Sequence, residues 1–291
     1  MDVFKHCFEK LTDEDVRVMK EYFDGFDYQG ASYTFLANYI WRTTYCLCWE
    51  RISDYLCLAG ADCMYHKVYD AKNPPKDIDT NCISNANLES QLKYLVKEGY
   101  YFPTWQEVRD YVDGKIDLPE KSCVLTFDDG TISFMKYGVP LIEKYDVRAT
   151  AFIIVSKNGK LWTSKHYKHV NLQSHSYNMH RPGGKIGHGG VFTALSYKAG
   201  LADLNKSTKI LGSHEAFAYP FGDYTKRCEK AVKAAGFLVA FTTENAKVHP
   251  GDDPYLLTRV RINGDISMGS YCYHSHRDLG DKLYPKGETS A

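Results

Sequence analysis

The chain has 291 residues, enough for a full buried core in one large domain or two; with 44% apolar and 25% charged residues it is not disordered, collagenous or a coiled coil. Its 36 basic and 36 acidic side chains cancel, so it lacks the Lys and Arg surplus with which proteins coat nucleic acid or acidic membranes. No apolar run nears the ~20 residues of a membrane span, and the opening Met1-Asp2-Val3-Phe4-Lys5-His6 lacks the apolar stretch that directs export, so the sequence reads as cytoplasmic.

In chain order, Thr12 caps a helix over Thr12–Phe23, with Asp13, Glu14 and Asp15 at its positive end. The aromatic, cysteine-rich stretch Tyr33–Leu58 reads as short buried strands and turns. Nine cysteines are scattered along the chain, and Cys46-Leu47-Cys48 has the spacing of neither a zinc ribbon nor a redox pair. They read as small buried apolar residues in a reducing compartment. Tyr69–Asn85, with Asn73-Pro74-Pro75 at its centre, reads as a loop. Asn87 then caps a helix with Leu88, Leu92 and Leu95 on one face, ended by Gly99. Thr104-Trp105-Gln106-Glu107 is a capping box that opens a second helix, stopped near Gly114.

From there the pattern becomes regular. Cys123–Phe127, Ala149–Val155, Val170–Ser174, Ala216–Tyr219, Val239–Thr243 and Leu257–Ile262 read as buried parallel strands. Helical patterns over Ile132–Tyr145, Ser196–Leu211 and Lys226–Ala235 lie between several of them, the last two closed by Gly212 and Gly236. This alternation predicts an α/β sheet or barrel.

Three of these strands run into polar residues. Val124-Leu125-Thr126-Phe127 leads straight into Asp128-Asp129-Gly130. Ionised carboxylates are costly on a buried strand, so they belong at its end, where a cavity opens. Adjacent residues on an extended chain point in different directions, so one carboxylate can grip a metal while the other faces a substrate. Val170–Ser174 runs into His175-Ser176-Tyr177-Asn178-Met179-His180. Residues five apart stand roughly 140° apart around a helix, so the two imidazoles converge only if the chain turns back through Ser176–Met179. Two imidazoles and one carboxylate leave open positions on a metal, as catalytic sites require. Finally, Phe217-Ala218-Tyr219-Pro220-Phe221-Gly222 ends a strand in a turn whose backbone N–H groups, past Tyr219, can stabilise an oxyanion.

Thr126–Gly130, His175–His180 and Tyr219–Gly222 together resemble the first three motifs of the NodB-homology polysaccharide deacetylases, carbohydrate esterase family 4. The resemblance covers about Met64–Asn263 and is nearest to the poly-N-acetylglucosamine deacetylase-like branch. It implies an α/β fold, a deformed parallel (β/α)7-type barrel with a short N-terminal α+β extension. The expected division is residues 1–62 as an extension without activity and 63–291 as the deacetylase domain. It further implies metal-dependent removal of acetyl groups from a glycan, with N-acetylglucosamine polymers as the expected substrate and one divalent ion, zinc, as cofactor.

Residue by residue, Asp128 resembles the general base, and Asp129, His175 and His180 the metal ligands. Tyr219 supplies the oxyanion N–H, and Tyr219, Pro220 and Phe221 border the substrate. Many members have an arginine where this chain has Ala218; Arg259 is its expected substitute on a later strand. The family's last motif, which supplies a histidine acid, has no clear copy. His274 and His276 are candidates by composition only, in a tail, while His66 matches a histidine near the site in the poly-N-acetylglucosamine branch. The connection Ser156–His169 is close to the ~10–12-residue minimum for a crossover, which predicts that a helix common in relatives is clipped. These departures motivate an alternative, a weak or inactive carbohydrate-binding relative; a second is an amidohydrolase of small non-sugar amides.

A second resemblance, on Tyr33-Thr34-Phe35-Leu36-Ala37-Asn38-Tyr39-Ile40-Trp41-Arg42, is to the start of the C-terminal domain of phosphatidylglycerol lysyltransferases, in a fragment too short for its acyl-transfer site. Gly183-Gly184-Lys185-Ile186-Gly187-His188-Gly189-Gly190 lacks the ending of a phosphate-binding loop and reads as a mobile rim of the cavity. The expected partner is an acetylated glycan, with neither nucleic acid nor a stable membrane insertion.

Overall fold

The computed structural model describes residues 57–262 except 80, together with 264, 268 and 271. The helix expected over Thr12–Phe23, nearly all of Tyr33–Leu58, and His274 and His276 lie outside the described residues. The strands are β1 (Cys57–Tyr65), β2 (Lys67–Tyr69), β3 (Cys82–Ser84), β4 (Lys121–Phe127), β5 (Ala149–Ile153), β6 (Val170–Ser174), β7 (Ala216–Ala218), β8 (Val239–Phe241) and β9 (Val260–Arg261). The α-helices are α1 (Asn85–Lys97), α2 (Trp105–Val112), α3 (Val139–Lys144), α4 (Val155–Thr163), α5 (Tyr197–Leu211) and α6 (Lys226–Ala234).

Seven strands make one curled parallel sheet in the order β8-β7-β6-β5-β4-β1-β9. The chain just before β9 also pairs with β8: Leu257 N–H donates to the Ala240 carbonyl and Thr242 N–H to that of Leu257, each at 2.9 Å. Three residues further on, Val260 and Arg261 pair with Cys63 and Met64 of β1. One short segment therefore bridges the two edges, the deformed-barrel geometry expected. Parallel strands put all their carboxyl ends on one rim, where polar groups escape the core. The expected boundary at residue 62 falls inside β1.

Several sequence expectations are corrected. β1, Cys57-Leu58-Ala59-Gly60-Ala61-Asp62-Cys63-Met64-Tyr65, is missing from the expected strands, yet it lies between β4 and β9. The segment expected as a loop over Tyr69–Asn85 begins and ends in a two-stranded parallel sheet, β2 with β3. Ser84, not Asn87, caps α1; its hydroxyl accepts from the Asn87 N–H at 3.0 Å. The helix expected over Ile132–Tyr145 does start at Ile132, but a π segment, Phe134–Gly138, is set into it before α3. Val155 begins α4 rather than ending β5, and α4 fills the connection expected to be clipped.

The capping box at Thr104 and Glu107 is present, as are the left-handed glycines after α1, α2, α5 and α6. Trp162 explains why α4 forms: its buried indole ends the row Tyr65, Phe127, Phe134, Trp162, whose successive ring centroids lie 4.9, 3.8 and 5.9 Å apart. Its Nε1–H donates to the Gly130 carbonyl at 2.8 Å, so the packing of α4 also fixes the turn that ends β4. Cys82, Cys123 and Cys228 are buried. Among the described residues, no helix is long and apolar enough to cross a membrane.

Candidate active site

Asp128 directly follows β4. Its N–H donates to the Tyr65 carbonyl at 2.8 Å, carrying the β1–β4 ladder one residue beyond the strand. The carboxylate is 2% exposed and receives both arms of Arg259, Nη1 to Oδ1 and Nη2 to Oδ2, each at 2.8 Å. Arg259 is itself wholly buried, and its Nε–H donates to the Thr242 carbonyl at 3.0 Å. Burial alone would push the Asp128 carboxyl up; the charge and hydrogen bonds of Arg259 outweigh it and hold the carboxyl well below the usual range. Asp128 is therefore an ionised, oriented carboxylate at any ordinary pH. Arg259, expected as the substitute for the arginine absent at Ala218, is the side chain that grips Asp128.

The sign of this pairing gives a prediction. A depressed pKa adds stability above the ordinary carboxylate range, lost only as pH falls through the depressed value. Arg259→Met should leave a buried carboxylate unpaired, at a cost of about 3–5 kcal/mol. It should also raise the Asp128 pKa. The deficit in melting temperature relative to the parent chain should then widen as pH rises from about 4 to 7, the range above ordinary carboxylates, because only in the variant does Asp128 resist ionising. A thermal melt series across pH checks this; parallel curves for both proteins would contradict it.

Asp129 turns the other way because its backbone is left-handed, with φ 70°. Its Oδ1 stands 3.7 Å from His175 Nε2 and 3.4 Å from His180 Nε2, and is buried without a hydrogen-bond partner. His175 Nδ1 lies 2.7 Å from the Ala218 carbonyl, which can only accept, so a proton sits on Nδ1 and Nε2 is the nitrogen turned to Asp129. Ser176, also left-handed at φ 73°, makes the reversal that brings His180 back, with the two imidazole centroids 4.7 Å apart. Burial, with the neighbouring His175 charge, pushes His180 down to about 4, leaving it neutral with a free lone pair at neutral pH.

The three ligand atoms all lie within 4.8 Å of one another. Ligands about 2.0–2.2 Å from a tetrahedral ion sit about 3.4 Å apart, whereas direct hydrogen bonds are shorter. An orphaned buried carboxylate oxygen facing two imidazole nitrogens is the donor set that a divalent ion satisfies. These residues can hold such an ion.

His66 follows β1 at the same rim and is half-buried. Burial lowers its pKa, Asp128 and Asp129 raise it, and Arg259 and His175 lower it, which places His66 within electrostatic reach of the whole cluster. Tyr219 is a correction. Its N–H donates to the Phe241 carbonyl at 2.9 Å, and its ring is buried among Phe192, Phe217 and Tyr224, so it has neither an oxyanion donor nor a substrate-facing ring to offer.

The donor that sequence reasoning missed is one turn on. Gly222 N–H closes a turn to the Tyr219 carbonyl at 2.9 Å, with Pro220 and Phe221 between. Phe221 occupies the position that demands a positive φ and normally takes glycine or asparagine; its φ is 62°. Among the described residues its N–H finds no acceptor, and its ring centroid is 4.3 Å from that of His180. Pro220 is buried. Three of the four described non-glycine residues with positive φ, Asp129, Ser176 and Phe221, are in this cluster, and such strain gathers at functional sites. The glycine-rich segment expected to be mobile is tied to this turn: Asp223 accepts from the His188 and Gly190 N–H groups, each at 2.8 Å.

Residues 115–240 match the family model described as polysaccharide deacetylase. The chain is 27% identical over 208 residues to the poly-beta-1,6-N-acetyl-D-glucosamine N-deacetylase of Staphylococcus aureus (strain MRSA252), covering 65% of this chain and 71% of that protein. The Streptococcus pyogenes deacetylase PplD, solved with acetate, shares the fold at a TM-score of 0.64 and 20% identity, over 76% of this chain and all of that one. IcaB from Ammonifex degensii does so at 0.57 and 24% identity, over 74% and 97%.

Proposed function

From a chain that carries a polysaccharide deacetylase domain, we propose a metal-dependent hydrolase that removes N-acetyl groups from an N-acetylglucosamine-containing glycan. The observation that carries this reading is the arginine-forked Asp128 standing beside the Asp129, His175 and His180 cluster. Asp129, His175 and His180 would hold the ion, most simply zinc, which when bound polarises the acetyl carbonyl and acidifies a water.

The remaining work falls to the chain itself. Asp128, ionised and aimed by Arg259, takes the proton from the water that attacks the acetyl carbon. The free Phe221 N–H donates to the carbonyl oxygen as its negative charge grows. The carbon–nitrogen bond then breaks, and His66 gives its proton to the departing amine, so that water and acetamide leave as acetate and amine. A half-buried imidazole suits this task because it exchanges its proton closer to neutral pH, where the forked Asp128 is ionised and holds none to give. His66→Gln should lower kcat by about 10²-fold or more while metal uptake stays unchanged. Metal uptake lost together with kcat would remove His66 from the acid role.

The substrate class is supported by the relatives named for poly-beta-1,6-N-acetyl-D-glucosamine. Acetate release from oligomers of that polymer, chitin, peptidoglycan and xylan fragments, set beside small acetylated amides, tests it. Release from glucosamine-type oligomers that a chelator abolishes is the expected result. Release from small amides alone would replace the glycan by the amidohydrolase reading.

A further inference from the structure

The two histidines are carried by one short reversal, and what holds that reversal is a side chain with no place in the chemistry above. Tyr177 N–H donates to Asp203 Oδ1 at 2.8 Å, and Asn178 N–H donates to Asp203 Oδ2 at 3.0 Å. Asp203 belongs to α5, and Ser207, one turn further along the same face, lies 2.5 Å from the Ser174 hydroxyl. Ser174 Oγ in turn accepts from the Ser176 N–H at 3.1 Å, and Ser176 Oγ from the Met179 N–H at 2.9 Å. On the other side, the first turn of α4 donates from Val155 and Ser156 to the Ser176 and Tyr177 carbonyls at 3.1 and 2.8 Å.

Each backbone N–H from Ser176 to Met179 thus has a side-chain acceptor, and Asp203 supplies two of the four. Consecutive N–H groups face one acceptor only where the backbone curls into a concavity suited to an anion. Here the left-handed Ser176 makes that curl. His175 is held independently, through Ser174 and the Ala218 carbonyl. Among the described residues, His180 has no comparable anchor of its own to a neighbouring strand, so its place relative to His175 and Asp129 depends on the curl that Asp203 clamps.

We propose that Asp203 is a positioning residue that sets the affinity of the Asp129, His175 and His180 site for its divalent ion; this rests on the metal reading given above. Only a carboxylate serves both N–H groups at once. An asparagine offers one acceptor and turns its own donors on the second N–H. An alanine offers none.

Zinc affinity, measured on the full metal-stripped chain by competition with a chromophoric chelator, tests this without any substrate, and His175→Ala supplies the blank for other zinc-binding groups. Asp203→Ala should weaken binding by about 10–100-fold, the range for partners that orient ligands, and Asp203→Asn by a smaller factor. Leu204→Ala, a buried neighbour on the same helix, separates positioning from general stability: it should lower the melting temperature while zinc affinity stays within about twofold of the parent. If Asp203→Ala does not fold, Asp203→Asn decides, since it keeps the volume and one acceptor. Affinity within about twofold of the parent in the folded Asp203 variants, or an equal loss in Leu204→Ala, would overturn the inference and leave the metal reading standing. A parent chain that binds no more zinc than the His175→Ala blank would contradict the metal reading itself.

Discussion

Asparagine in place of Asp128 is expected to cut acetate release by about 10²–10⁴-fold while the chain still takes up one divalent ion. The loss follows from chemistry at one position. The Asp128 carboxylate is the buried, ionised group that Arg259 aims into the site, and an amide of the same shape cannot take a proton. The ion should survive because Asp129, His175 and His180 are separate side chains, and the Asp128 N–H that continues the β1–β4 ladder is unchanged. Stability should also fall, since a wholly buried Arg259 then faces an amide and its charge is no longer cancelled. Acetate kinetics and bound metal, measured on the same folded sample, check both halves. Full acetate release would remove Asp128 as the base; loss of the ion would move it into the ligand set.

His175→Ala should fail differently. The imidazole is one of three donors and, through Nδ1, rests on the Ala218 carbonyl at 2.7 Å. Its removal takes a ligand and leaves Asp129 Oδ1 and His180 Nε2 without the geometry that closes on an ion. Zinc affinity should drop by well over the roughly 10–100-fold seen for indirect partners, and acetate release should fall to background at any metal level the fold tolerates. His180→Ala should behave likewise, and Asp128→Asn should not. That contrast separates a ligand from a base, because a base mutant remains loaded and inactive whereas a ligand mutant is inactive because it is empty. Zinc competition checks it, and undiminished affinity in His175→Ala would dissolve the assigned triad.

The site was legible where function and local pattern use the same residues. A buried strand that ends in two carboxylates and a glycine is costly unless a cavity opens there, and the β4 end carries that conflict on its surface. The histidine reversal was legible for a similar reason, since residues five apart can converge only through a turn. Arg259 could be named, but not its partner, because a side chain that reaches across the sheet leaves no local periodicity.

What was hidden is backbone. Phe221 sits where the turn type calls for glycine, and nothing in the identity of a phenylalanine announces a left-handed φ, so the donor was assigned to Tyr219, whose N–H is spent on Phe241. β1 was hidden by its small residues, Ala59-Gly60-Ala61, which give a strand neither β-branched bulk nor clean alternation. α4 was hidden by Asn158-Gly159, a turn-like pair within a nine-residue helix. Tertiary packing decides there: Trp162 must reach the aromatic row and the Gly130 carbonyl, and a helix from Val155 delivers it. That helix is in place, and Asp128 has an arginine partner in Arg259, so two of the observations that motivated an inactive relative lose their force.

The most direct measurement is a zinc titration of the metal-stripped full chain, with bound zinc and acetate release from N-acetylglucosamine oligomers followed in the same samples. Release should rise in proportion to zinc bound, level off at one ion per chain, and vanish again with chelator. Acetate released equally by the stripped chain, or a fully loaded chain that releases none from any acetylated glycan, would contradict the account.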